Sequence, residues 1–196
     1  MPRPLRIAVA DAEPLMRHWY EGTLRQLGHD LVVLACNGNE LVEQCRSKKP
    51  DLLITDIPMP GIDGLAAAEM LREEVPMPII LVSARHDAAD IDRALQNHVL
   101  AYLAKPIKQP DLATAIILAS RRFHEFRMLE QQADNLAKSL TDRKLIERAK
   151  GILMYRVGLS EPDAFKRLQK ISQNKNQKLA DAARSIIAAE ETFTAE

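Results

Sequence analysis

The chain has 196 residues, 46% of them hydrophobic, and its 27 basic and 27 acidic side chains balance to no net charge. That length suits one packed domain of about 100 to 150 residues plus a smaller module, and no apolar run approaches the roughly 18 residues needed to cross a bilayer. MPRPLRIAVAD meets an acid before a signal-peptide core can form. Cys36 and Cys45 lie nine residues apart outside any CxxC spacing, which indicates neither a disulfide framework nor a zinc site. The expectation is a cytoplasmic protein with reduced thiols and no membrane partner.

In chain order, short apolar runs alternate with longer amphipathic stretches. Strand LRIAVA is followed by helix PLMRHWYEGTLRQLG, strand DLVVLAC by helix NELVEQCRSKK, and strand DLLITD by helix GLAAAEMLREEV. Strand PIILVS, helix DAADIDRALQNH and strand LAYLA then bring the count to five strands by residue 104. The alternation predicts an α/β fold, a doubly wound five-stranded parallel sheet with helices on both faces. Such sheets gather their functional groups at the C-terminal ends of the strands. Asp11 follows the first strand, Asp56 ends the third, Ser83 ends the fourth, and Lys105 with Pro106 follows the fifth. A polar residue at one strand end is usually a cap or turn former. Four in this order predict a shared site.

The stretches DAEP at 11–14, DIPMPGIDG at 56–64, IILVS ending at Ser83 and YLAKP at 102–106 resemble the receiver domain of two-component response regulators. The resemblance covers residue 5 to about residue 120 and implies a flavodoxin-like sheet. It also implies that Asp56 is a carboxylate nucleophile taking a phosphoryl group from a histidine kinase or phosphotransfer protein, with Mg²⁺ neutralising the transferring charge. Asp11, Asp56 and the backbone carbonyl of Pro58 would supply the protein's metal ligands. Lys105 would pair with Asp56 and then with the phosphoryl oxygens, Ser83 would offer them a hydroxyl, and Tyr102 would be the switch residue that turns as Ser83 moves. Receivers usually carry two adjacent acids where this chain has Asp11 and Ala12. The missing carboxylate predicts weakened Mg²⁺ binding and weakened phosphorylation, and Glu13 is expected to face solvent.

Pro110 opens a stretch with no glycine or further proline for thirty residues, which reads as one long helix. Leu112, Ile116, Ala119, Phe123, Phe126, Leu129, Ala133, Leu136 and Leu140 recur with a mean step of 3.5, the coiled-coil period. The first of these belong on the sheet. Beyond Arg121 no sheet is left to cover, so the stripe predicts a homodimer. The division is then 1–120 receiver, 121–140 coiled-coil linker and 141–196 output module.

From Thr141 to Ala189 there are 11 basic and 5 acidic residues, so the end of the chain is basic and the rest acidic. Val157 and Gly158 end a first helical segment, Ser160 with Asp163 caps a second, and the Asn174 to Asn176 turn precedes a third. Leu145, Ala149, Ile152, Leu153, Phe165, Leu168, Ile171, Leu179, Ala183, Ile186 and Ile187 are the expected core. The run DRKLIERAKGILMYRVGLSEPDAFKRLQKIS resembles the ANTAR domain, the RNA-binding output of AmiR and NasR type antitermination regulators. This implies binding to hairpin-loop RNA and an output that is binding, not catalysis. Loops need cations for phosphates and a planar group for stacking: Arg143, Lys144, Arg148, Lys150 and Arg156 are the candidate cations, and Tyr155 the stacking residue. Lys166, Arg167, Lys175, Lys178 and Arg184 rank below them. Two alternatives stand beside this reading: a DNA-binding regulator, and a protein-interaction platform never phosphorylated.

Overall fold

The computed structural model describes residues 3–84, 92–93 and 99–194, with side chains as far as residue 191. The chain divides into two compact units, Met1–Arg127 and Met128–Glu196. In the first, β1 (Arg6–Ala10), α1 (Pro14–Gln26), β2 (Asp30–Ala35), α2 (Gly38–Lys48), β3 (Leu52–Thr55), α3 (Gly64–Leu71), β4 (Ile79–Ser83) and β5 (Val99–Ala104) follow one another. The strands form one parallel sheet in the order β2-β1-β3-β4-β5. Of the helix expected at 87–98, only residues 92 and 93 are described, and both are helical; the remainder lies outside the described residues.

Alternate strand residues point to opposite faces, and each face has its own core. Ala8, Ala10, Leu53 and Leu81 pack with Leu41 and Val42 of α2 and Leu65 and Ala68 of α3. Ile7, Val9, Ile54 and Val82 pack with Tyr20 and Leu24 of α1 and with Leu112, Ile116 and Ala119 of the next helix. The helix starts are written locally. Pro14 sits in the first turn of α1, the Asn37 side chain accepts from Glu40 N in α2, and Asp63 accepts from Ala66 N at 2.7 Å in α3.

That next helix, α4 (Gln109–Val157), runs for 49 residues. The long helix and the first segment of the module, expected to be separate elements, are therefore continuous. The reason is visible at Thr141. Its hydroxyl donates back to the Ala137 carbonyl at 3.0 Å, within the helix, instead of capping a new one. Gly158, at φ +72, ends α4; Ser160 caps α5 (Glu161–Asn174) by accepting from Asp163 N; and a turn with Asn176 at φ +48 leads to α6 (Leu179–Thr194).

The second unit closes on Ala149, Leu153, Ala164, Leu168, Ala182, Ala183 and Ile187. Phe165, expected inside, is 37% exposed. Ala164, Leu168 and Ile171 take the buried stripe at a four-then-three spacing, which turns the neighbouring Phe165 outward.

Gly64 is where α3 and the end of β3 press closest. A Cβ there would collide with the Asp56 carbonyl oxygen and the Thr55 hydroxyl. Backbone cannot move aside cheaply, so Gly64→Ala is expected to lower the unfolding free energy by about 1 to 3 kcal/mol in urea titration.

Candidate functional site

β1 and β3 are neighbours, so their C-terminal ends deliver Asp11 and Asp56 side by side. The Asp56 N–H donates to Ala10 O at 2.9 Å, which fixes this residue against the end of β1. Both aspartates are buried. Asp11 Oδ1 accepts from Glu13 N at 2.9 Å and Asp56 Oδ1 accepts from Ile57 N at 2.7 Å, leaving one oxygen of each turned to a common point.

Lys105 stands at that point. Its Nζ donates to Asp56 Oδ2 at 2.6 Å and lies 2.9 Å from Asp11 Oδ2 and 3.4 Å from Glu13 Oε1. The peptide joining Lys105 to Pro106 is cis, and Lys105 N donates to Ser83 O, tying the end of β5 to that of β4. Burial raises the Asp56 carboxyl above its ordinary value; Lys105 pulls it back in part, and Asp11 adds to the rise. Burial would lower the Lys105 ammonium, but hydrogen bonds and charge from Asp56 and Asp11 reverse this and hold it well above the ordinary lysine value. The negative field reaches Tyr20 behind the site, whose phenol is pushed far up by burial first and then by Asp11, Asp56 and Glu13.

The fold thus gathers Asp11, Asp56 and Lys105. Ser83 is fully buried at the end of β4, and Tyr102 is half-buried on β5 against the α2 and α3 face of the core. Pro58 is exposed two residues past Asp56. Glu13 departs from expectation: it is exposed, yet its carboxylate turns back, and one oxygen from each of Asp11, Glu13 and Asp56 lies within 4.8 Å of the others. Three carboxylates at that spacing fit a hard divalent cation. Arg17 was not foreseen. Its Nη1 donates to the carbonyls of Asp11 and Ala12 at 2.8 and 2.9 Å, holding the acidic turn in shape; the six-residue step from Asp11 into α1 was the available signal. Away from the site, burial pushes the Cys45 thiol up to about 12, while Cys36 is exposed, and both cysteines are free.

In the second unit the candidate cations have different fates. Arg143 and Lys144 are exposed and form no ion pair among the described residues. Arg148 pairs with Glu191 at 2.8 Å, and Arg156 grips both oxygens of Glu190. Arg184 pairs with Asp181 and lies 3.4 Å from Asp142. Lys150 is a correction to the expectation of an RNA contact: it is buried, its ammonium held by Glu147 and, at 2.8 Å, by Glu161 at the start of α5. It fastens α4 to α5. Tyr155 is 84% exposed, with the Arg156 guanidinium 5.8 Å from its ring centroid.

Known proteins carry the same two units. A model of the response regulator receiver domain matches residues 7–117, and one of the ANTAR domain matches residues 134–187. The transcriptional regulatory protein PdtaR of Mycobacterium tuberculosis is 37% identical over 184 residues, spanning 94% of this chain and 90% of that protein. The positive alginate biosynthesis regulatory protein of Pseudomonas aeruginosa is 36% identical over 119 residues, 60% of this chain and 48% of that protein. Among solved structures, the signal receiver domain of the response regulator NarL from M. tuberculosis superposes with a TM-score of 0.57 at 28% identity, covering 61% of this chain and 98% of that domain. An acidic pocket closed by a lysine on a 2-1-3-4-5 sheet, followed by the matched helical unit, places this chain in the response regulator family, with a receiver domain ahead of an ANTAR output domain.

Proposed function

We propose that Asp56 is the phosphoacceptor of this receiver and that the exposed stripe on α4 makes the chain a dimer. The chain is a two-component response regulator whose output is RNA-binding antitermination. The observation that carries the Asp56 reading is the Lys105 ammonium held between Asp56 and Asp11. An Asp56 oxygen attacks phosphorus, the phosphorus–nitrogen bond of a phosphohistidine donor breaks with its electron pair leaving on the imidazole, and an acyl phosphate forms. Lys105 then has phosphoryl oxygens to hold in place of the carboxylate it holds now. Ser83 would offer its hydroxyl to the same oxygens, and Tyr102 would report the change to the surface around β5. Incubation with a small phosphodonor is expected to add one phosphoryl mass in intact-protein spectra, absent in Asp56→Asn; a labelled Asp56→Asn would move the acceptor elsewhere.

Asp11, Asp56 and the Pro58 carbonyl would hold Mg²⁺, which when bound neutralises charge on the transferring group. Ala12 offers no ligand, and the inward turn of Glu13 supports a partial replacement by its carboxylate. Ala12→Asp is expected to tighten Mg²⁺ binding roughly tenfold, a ligand's worth of coordination, and Glu13→Gln to weaken it. Calorimetric titration showing neither change would remove the idea of a compromised metal site.

Lys105 also carries stability. In Lys105→Met the buried carboxylates lose their cation; the Asp56 carboxyl, already raised by burial, rises further above its unfolded value, and its ionisation opposes folding at neutral pH. The variant is expected to lose about 3 kcal/mol at pH 7. The deficit shrinks as pH falls through the raised Asp56 value, because the protonated acid needs no partner. Urea titrations at pH 7 and pH 4.5 would show it.

The dimer reading rests on α4. Leu112, Ile116 and Ala119 are buried on the sheet, whereas Phe126, Leu129, Leu136 and Leu140 are 47 to 65% exposed at heptad-like spacing. The segment 121–140 would be its seam. Sedimentation at micromolar concentration is expected to give a dimer, and Leu129→Glu with Leu136→Glu a monomer.

A further inference from the structure

The RNA reading requires cations able to meet phosphates, and the second unit distributes its cations unequally. On α4, Arg148, Lys150 and Arg156 each hold an acid of the same unit, as does Arg184 on α6. Two of those acids, Glu190 and Glu191, fall just beyond the stretch whose excess of positive charge first pointed to RNA. Those guanidinium and ammonium groups join α4 to α5 and α6. A phosphate reaching them must first displace a carboxylate at hydrogen-bond distance.

Arg143 and Lys144 on α4 are exposed without an ion pair among the described residues, and on α5 and the turn after it this holds for every cation. Lys166, Arg167, Lys170, Lys175 and Lys178 are all exposed, and none forms an ion pair among the described residues. Lys166 and Lys170 stand four residues apart on the side of α5 turned away from buried Ala164 and Leu168, and Arg167 lies beside Lys170. Like charges at that spacing repel and cost a few tenths of a kcal/mol, and the acid one turn earlier, Asp163, accepts from Ser160 Oγ at 2.6 Å and forms no ion pair with Lys166 or Arg167. Exposed amides share the same end of the helix: Gln173, Asn174 and Asn176. The turn that presents them is held by Ser172 Oγ donating to Gln177 O at 2.6 Å, and by Gln177 N donating to Ser172 O at 3.0 Å. Amides both donate and accept, as the edges of unpaired bases require.

Resting on the RNA-binding reading, we propose that the loop-RNA surface of this chain is α5 with its following turn, where Lys166, Lys170 and Lys175 meet phosphates and Gln173, Asn174 and Asn176 meet base edges. The paired cations of α4 and α6 instead hold the helices in place. Lys170, to which the motif assigned no role, becomes a contact residue.

The test uses the full chain and a pool of two-hairpin RNAs with randomised loops, with affinity measured by fluorescence anisotropy across salt concentrations. Lys166→Gln, Lys170→Gln and Lys175→Gln combined are expected to cost about tenfold or more in affinity. They should also reduce the slope of log affinity against log salt by about 2, near 0.7 for each single-strand phosphate that no lysine neutralises any longer, with thermal unfolding unchanged. Arg148→Gln with Arg156→Gln is expected to lower the thermal midpoint and leave the slope as it was; where that pair fails to fold, Arg156→Gln alone gives the same reading. A lysine triple variant with unchanged slope, or a reduced slope in the arginine variant, overturns the assignment. An unaltered chain that binds none of the pool overturns the RNA reading itself, and the surface with it.

Discussion

The receiver depends on keeping two buried carboxylates within reach of one ammonium. Asp11 and Asp56 are brought together by the pairing of β1 with β3, and burying both would be prohibitive without a cation between them. Lys105 supplies it from the far edge of the sheet, at 2.6 Å from one and 2.9 Å from the other. This one contact couples strands distant in sequence, closes the site, and opposes the rise that burial imposes on the Asp56 pKa. Any reaction that changes the charge on Asp56 must therefore be felt at Lys105, and through Lys105 N and Ser83 O at the ends of β4 and β5.

The same physics bears on the proposal that Ala12 leaves the metal site one carboxylate short. A site with one fewer acid suffers less self-repulsion without metal, because a single ammonium goes further toward neutralising it. It also has less negative charge with which to strip water from Mg²⁺, an ion that dehydrates reluctantly. Glu13 lies between these demands: exposed, and close enough to contribute an oxygen. Arg17 fixes the turn that carries it by binding two backbone carbonyls, which leaves the acids themselves to Lys105.

In the helical unit, ion pairs join the helices around a small core. Lys150 is held by Glu147 and Glu161, and Arg148 and Arg156 reach Glu191 and Glu190 on α6. These pairs tie three helices whose buried stripe is narrow and rich in alanine. Sequence counting could not separate such clasps from free cations, since Arg156 and Glu190 are 34 residues apart and only packing makes them neighbours.

Much of the fold was legible because it is written in local patterns. Five apolar runs at strand length, the cap at Ser160 and the stop at Gly158 are short-range signals, and each is read within a few residues. The placement of Asp11, Asp56, Ser83 and Lys105 at strand ends was legible for the same reason, once a parallel sheet was inferred. What only tertiary structure decided involves direction and pairing. Thr141 bonds back into its own helix and lets α4 continue, Phe165 loses the core to Ala164 by a one-residue rotation, Glu13 turns toward Lys105, and Lys150 is buried by its acids. A sequence specifies which side chains are charged or apolar and their period along an element. Which charge meets which depends on helix packing, where a difference of one residue in 3.6 swings a side chain by about 100°.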